Sequence, residues 1–125
     1  MDVKDKRVVV TGAASGIGKA LSEAFYQAGA QSIVAVDMNI EGAQETADSV
    51  NGMAVQANVG KEEDIINVIE KANEHAGGID IFCSNAGIGG VPGFFEVTAA
   101  DWQNIWDVNV QGHIFAAKHV LPQMI

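Results

Sequence analysis

The sequence predicts an α/β fold built on a doubly wound parallel sheet. Three observations predict it. Short β-branched runs alternate with stretches of helical periodicity. The runs are continuously apolar, as in strands covered on both faces, rather than apolar at every second residue. The connections between them are short, as in βαβ units. The 125 residues suffice for one domain with one core.

The elements follow in order. Arg7–Val10 is the first strand. Ile17, Ala20, Leu21, Ala24, Phe25 and Ala28 then form one apolar helical face, stopped by Gly29. Ser32–Asp37 is the second strand; Ile40, Ala43, Ala47 and Val50 mark the second helix, ended by Asn51-Gly52. Ala54–Asn58 is a short third strand. Ile65, Val68, Ile69, Ala72 and Ala76 define a third helix, with Glu62, Glu63 and Asp64 in its first turn and His75 near its end, as the helix dipole favours. Ile79–Ser84 is the fourth strand, and Asn85 to Val97 a loop rich in Gly and Phe. Thr98 opens a long helix with Asp101 completing a capping box, and Pro122 is expected to end or kink it.

Composition excludes several function classes. Acids outnumber bases 16 to 7, for a net charge of −9, and the stretch from Ala72 to Ala117 has neither Lys nor Arg. Such a surface repels nucleic acid and anionic lipid. The charged start, Met1-Asp2-Val3-Lys4-Asp5-Lys6-Arg7, does not read as a signal peptide, and no apolar run approaches a membrane span. Cys83 is the single cysteine, so a reducing, cytoplasmic setting is expected.

The strongest chemical signal is Thr11-Gly12-Ala13-Ala14-Ser15-Gly16-Ile17-Gly18, between the first strand and the first helix. A dinucleotide fingerprint must lie there. Gly12 permits a tight turn, Gly16 lets backbone approach a pyrophosphate, and Gly18 lets helix and strand pack closely. The helix N-terminus offers N–H groups and partial positive charge to the phosphates. Asp37 ends the second strand 19 residues beyond Gly18, where an acid can accept hydrogen bonds from both adenosine ribose hydroxyls. It would repel a 2′-phosphate, and the nearby Ser15 and Met38 carry no positive charge. NAD is therefore favoured over NADP.

The spacing T-G-x-x-x-G-x-G resembles the short-chain dehydrogenase/reductase family, in its ordinary-length branch. Asn85-Ala86-Gly87 after the fourth strand is similar to the family's N-A-G motif, which lines the cofactor and stabilises the sheet. Asn58-Val59 stands where the family usually has Asp-Val beside the adenine. Trp102 through Gly112 (WQNIWDVNVQG) resembles the helix that carries the family's active-site Asn, here Asn109. The resemblance implies strand order 3-2-1-4. It implies a cofactor site of Gly12, Ser15, Gly16, Ile17, Gly18, Asp37, Met38, Asn58, Val59, Asn85, Ala86 and Gly87, with Asn109 catalytic. Asn109 and Gly112 are both poor mid-helix residues, so a local irregularity is expected there. In the family the carbonyl at this position holds a water of the proton relay.

Asn58 departs from the usual Asp; its side-chain oxygen is expected to accept from the adenine amino group without charge assistance. The resemblance further implies that a catalytic Ser and a Tyr-x-x-x-Lys lie beyond residue 125. The expectation is therefore that residues 1–125 are the N-terminal part of one dinucleotide-binding Rossmann domain in an NAD-dependent oxidoreductase. Hydride would pass between nicotinamide and a small carbonyl or secondary alcohol, and the 125-residue chain alone would be inactive. The alternatives are a non-catalytic nucleotide-binding or assembly module and a different Rossmann-type enzyme such as a methyltransferase.

Other residues read as structural. Tyr26 lies beside core positions of the first helix, Cys83 in an apolar strand, and His113 and His119 lack a further ligand at metal spacing. Trp102 and Trp106 read as core or interface. The last helix carries two apolar stripes, one through Ile105, Val108, Gly112, Phe115 and His119, the other through Trp106, Val110, Ile114, Ala117 and Leu121. The second points to a homo-oligomer formed through the 101–121 helix.

Overall fold

The computed structural model describes residues 1–90 and 92–125; Val91, within the expected loop, lies outside the described residues. Four parallel strands, β1 (Arg7–Thr11), β2 (Ser32–Asp37), β3 (Met53–Gln56) and β4 (Ile81–Cys83), form one sheet in the order β3-β2-β1-β4. Val10 pairs with Ala35 on one side and Cys83 on the other. The connecting helices are α1 (Gly16–Gln27), α2 (Ile40–Ser49) and α3 (Glu62–Ala76). α4 (Ala99–Trp106), a π-helical segment (Asp107–Gln111) and α5 (Gly112–Met124) follow without a break.

Alternate residues of the apolar strands feed two cores. Val8, Val10, Ile33 and Ala35 pack against Leu21 and Phe25 of α1 and Ala47 of α2. Val9, Val34, Val36 and Val55 pack against Ile65, Val68, Ile69 and Ala72 of α3 and Val120 of α5. The strands thus need no polar face, in keeping with their continuous apolar runs.

Local chemistry sets the helix ends. Asn39 caps α2 by accepting from Gly42 N–H. Thr98 and Asp101 form a complete capping box on α4. Gly77, at φ +78°, closes α3 in the left-handed conformation that glycine adopts without strain.

Four expectations change. The buried side of α1 runs through Gly18, Leu21, Ser22 and Phe25, whereas Ile17, Ala20, Ala24 and Ala28 are exposed and Tyr26 is half-exposed. Gly18 must touch the glycine turn, which rotates Ile17 outward. β3 stops before Asn58, which leaves the sheet to form a turn with Gly60. β4 is shorter than Ile79–Ser84, because β1 is its one neighbour and Ser84 turns toward His113. Finally, α5 continues through Pro122 to Met124. The π-helical insertion also shifts the covered stripe of the long helix by one residue, so that Ala116 and Val120 are buried alongside Val108 and Gly112.

One ion pair holds the far end of the sheet. Arg7 donates from its backbone N–H and its guanidinium to the Asp80 carboxylate at 2.8–2.9 Å, and to the Gly77 carbonyl at 2.9 Å. These bonds hold the Asp80 carboxyl far below the usual carboxylate range, chiefly through the Arg7 side chain. A carboxyl with a lowered folded pKa stabilises the fold above its unfolded value, near 4, and loses that contribution as pH falls toward the folded value. Asp80→Asn is expected to cost about 1–2 kcal/mol at neutral pH. In urea unfolding the gap to wild type should persist at pH 6–8 and narrow below about pH 4.

Candidate functional site

The sheet order creates one switch point. From β1 the chain winds outward through β2 to β3, then crosses by α3 to β4 on the opposite side of β1. Loops leaving β1 and β4 diverge there, opening a crevice at the carboxyl ends of the strands.

The β1–α1 turn forms one rim. Gly12 has φ +70°, and a Cβ on it would lie 3.0 Å from the Ala86 Cα and the Asn85 Nδ2. A Cβ on Gly18 would strike the Gly12 carbonyl. Gly16, at φ +53°, faces open space, so its need for glycine is conformational and its backbone is approachable. Ser15 is the N-cap of α1, yet its side chain makes no capping bond. The first-turn N–H groups of Gly16, Ile17 and Gly18 therefore have no intrahelical acceptor and stand at the positive end of the helix.

The turn is tied to β2 and α2. Ala13 N–H donates to the Val36 carbonyl at 3.0 Å, and the buried Thr46 hydroxyl donates to the Ala13 carbonyl at 2.8 Å. Asp37 accepts from Ala14 N–H through Oδ2 and from Asn39 N–H through Oδ1, both at 3.0 Å. Each carboxylate oxygen retains a lone pair for a ligand.

Across the crevice, Thr11 secures the β4 loop. Its buried hydroxyl accepts from the N–H groups of Asn85 (3.0 Å) and Ala86 (3.1 Å) and donates to the Cys83 carbonyl (3.3 Å). The Asn85 side chain donates back to the Thr11 carbonyl at 3.0 Å. Further along, Asn109 clamps Ile88: its Oδ1 accepts from Ile88 N–H and its Nδ2 donates to the Ile88 carbonyl, both at 2.8 Å. Asn109 sits in the π-helical segment, the irregularity expected of Asn109 with Gly112. Gly112 is required by close packing, since a Cβ there would lie 3.1 Å from the Val59 carbonyl.

A cleft of about 100 Å³ opens between these walls. It brings together Gly12, Asp37, Met38, Asn58, Val59, Ala86 and Gly87 of the expected site residues. Ser15, Gly16, Ile17 and Gly18 form the adjacent rim at the start of α1 rather than the cleft wall. Asn85 does not line the cleft; its amide is spent on Thr11. Asn109 reaches it only through Ile88. The Asn58 oxygen expected to face a base already accepts from Gly60 N–H at 2.9 Å.

Sequence reasoning missed Thr11 and Thr46 as anchors, and Val36, Ala57, Ile88 and Val108 as lining residues. The signal for Thr46 was a hydroxyl within the apolar stripe Ala43, Ala47, Val50. The cleft valines carry no signal that separates them from core valines. Among the described residues no group of three metal-ligating side chains converges. His113 Nδ1 lies 2.6 Å from the Ser84 hydroxyl, and His119 Nε2 lies 2.7 Å from Glu62 Oε1. Cys83 is half-buried, and burial pushes its thiol pKa up.

The short chain dehydrogenase family matches residues 6–125. The chain belongs to that family. Glucose 1-dehydrogenase 2 of Bacillus subtilis is 37% identical over 130 aligned positions, covering 99% of this chain and 50% of that protein. The 1-deoxy-11-beta-hydroxypentalenate dehydrogenase of Streptomyces exfoliatus is 34% identical, covering 100% of this chain and 48% of that protein. The chain thus spans about half the length of these relatives. Among solved structures, the 3-ketoacyl-(acyl-carrier-protein) reductase of Brucella melitensis complexed with NADH superposes with a TM-score of 0.91 at 32% identity, covering 97% of this chain and 51% of that one. This short-chain dehydrogenase has the family's Rossmann-type sheet order, 3-2-1-4.

Proposed function

We propose that the chain is the nucleotide-binding, N-terminal part of an NAD-dependent oxidoreductase that passes hydride between nicotinamide and a small carbonyl compound or secondary alcohol. The observation that carries this reading is the placement of Asp37. Its carboxylate is fastened to Ala14 of the glycine turn and borders the same cleft as Gly12, Asn58 and Ala86. The residues fit a dinucleotide: uncapped N–H groups at α1 suit a pyrophosphate, Asp37 suits ribose hydroxyls, and the valine-lined cleft suits a purine. The bound nicotinamide supplies the hydride chemistry. Ser15, Gly16, Ile17 and Gly18 take the phosphate side, Met38, Asn58 and Val59 the adenine side, and Ala86 and Gly87 the face toward β4. Asn85 supports them by latching the loop, and Asn109 holds the Ile88 segment and belongs to the proton relay. A reducing, cytoplasmic setting keeps Cys83 as a thiol.

The Asp37 carboxylate would meet a 2′-phosphate with like charge. NAD is expected to bind more tightly than NADP by calorimetry on the purified protein. Asp37→Ala should narrow the gap by about tenfold or more, because it removes the repulsion together with the ribose hydrogen bonds. Equal or tighter binding of NADP by the wild type would overturn the preference.

The 125 residues contain no Tyr-x-x-x-Lys, and a positioned general acid contributes about 10²–10⁴-fold. Lys118 cannot substitute: it lies roughly 13 Å along the helix from Asn109 and donates to Glu62 Oε1 at 2.6 Å. Turnover by the isolated chain with NAD(H) and a panel of alcohols and ketones is expected to be absent. Turnover matching that of a chain extended to the length of its relatives would refute the assignment.

Along the long helix, Trp102, Trp106, Ile114 and Leu121 are 49–57% exposed, forming an apolar face opposite the covered stripe. This face fits a second copy of the chain, so a homo-oligomer is proposed. Charged substitutions at Ala117 and Leu121 should lower the sedimentation coefficient to the monomer value at micromolar concentration. A wild-type protein that already sediments as a monomer would contradict the proposal.

A further inference from the structure

Asn58 spends nearly all of its hydrogen-bonding capacity inside its own turn. Its N–H donates to Asp64 Oδ2 at 2.8 Å, its carbonyl accepts from Lys61 N–H at 3.0 Å, and its side-chain Oδ1 accepts from Gly60 N–H at 2.9 Å. A backbone N–H can only donate, so the side-chain atom facing Gly60 is the oxygen, and the orientation of the amide is settled. That leaves Nδ2. It has no partner among the described residues, and it is not one of the buried polar atoms left unsatisfied. Its two N–H groups are therefore open to the surface. Asn58 borders both the 100 Å³ cleft and an adjoining recess beside Met38, Gln56 and Asp64.

We propose that Asn58 offers the purine a hydrogen-bond donor, so that the base site takes a 6-oxopurine dinucleotide at least as well as an adenine dinucleotide. The inference rests on the reading of the cleft as the adenine end of a dinucleotide site. The 6-amino group of adenine donates hydrogen bonds; the 6-carbonyl of hypoxanthine accepts them. An aspartate in the same turn would keep one oxygen on Gly60 N–H and turn the other, an acceptor, toward the base. That arrangement favours an amino group and disfavours a carbonyl. Asn58 reverses the polarity at the same point while preserving the turn. The apolar walls Val36, Val59 and Val108 contact either base through its ring faces and do not distinguish them.

The experiment is a pair of calorimetric titrations, with NAD and with nicotinamide hypoxanthine dinucleotide, on the purified wild type and on Asn58→Asp. The substitution keeps the Gly60 bond and changes the group that faces the base. Its added charge acts on both dinucleotides, so the ratio of the two dissociation constants isolates the base. The wild type is expected to bind the hypoxanthine dinucleotide as tightly as NAD or more tightly. Asn58→Asp is expected to shift the ratio toward NAD by roughly three- to tenfold, the worth of one neutral hydrogen bond. A wild type that prefers NAD, or a ratio unchanged by the substitution, overturns the inference and leaves the cofactor reading standing. Failure of both dinucleotides to bind either protein overturns the cofactor reading, and the inference with it.

Discussion

The Thr11 hydroxyl is the interaction on which the site depends. It uses its single donor and both acceptor positions on the loop that leaves β4, while the Asn85 amide answers on the Thr11 carbonyl. Without that closure the Asn85 and Ala86 N–H groups would face the crevice unpaired, at a cost of roughly 1–3 kcal/mol for each donor left buried. With it, the loop from β4 runs directly against Gly12. The contact is so close that a Cβ on Gly12 would crowd Asn85 and Ala86. The glycine turn and the β4 loop are thereby one rigid unit, and the cleft between them has a defined shape.

The same economy recurs around the crevice. Loops at strand ends leave backbone groups without sheet partners, and each must be satisfied in some other way. Here short polar side chains do so one loop at a time: Thr46 on Ala13, Asp37 on Ala14 and Asn39, Asp64 on Asn58, Asn109 on Ile88. What remains unspent after this pairing is what a ligand meets. The N–H groups at the start of α1, the second lone pairs of Asp37 and the Asn58 amide nitrogen are such remainders. Recognition chemistry and loop stability are thus supplied by the same few residues, and a substitution at Asp37 or Asn58 changes both.

The long helix shows a comparable double duty. Its π-helical segment turns Asn109 onto Ile88 and brings Gly112 against Val59. The extra residue also re-aims everything that follows, carrying Ala116 and Val120 into the core and leaving Ile114 and Leu121 outside. One local irregularity therefore fixes both a wall of the candidate site and the composition of the exposed apolar face.

Much of this was legible in the sequence, because the signals were local. Apolar runs at Val8–Val10 and Ile33–Val36, the capping pair Thr98 and Asp101, and the glycines at 12, 16 and 18 each act within a few residues, where spacing maps directly onto geometry. Asp37 was legible for the same reason, since a fixed helix and turn separate it from Gly18. The tertiary structure alone decided which groups stay free. Thr11 meets Asn85 across 74 residues, Thr46 meets Ala13 across 33, and Asn109 meets Ile88 across 21. No periodicity encodes such pairings, because they arise only when the crossover at α3 brings β4 beside β1. Ile17 was therefore expected on the buried face and lies outside, and Asn85 was expected on the cofactor and holds the loop. The sequence by itself determined the sheet, the turn and the charge at Asp37; the packing of the loops decided which hydrogen-bonding groups were left over for a ligand.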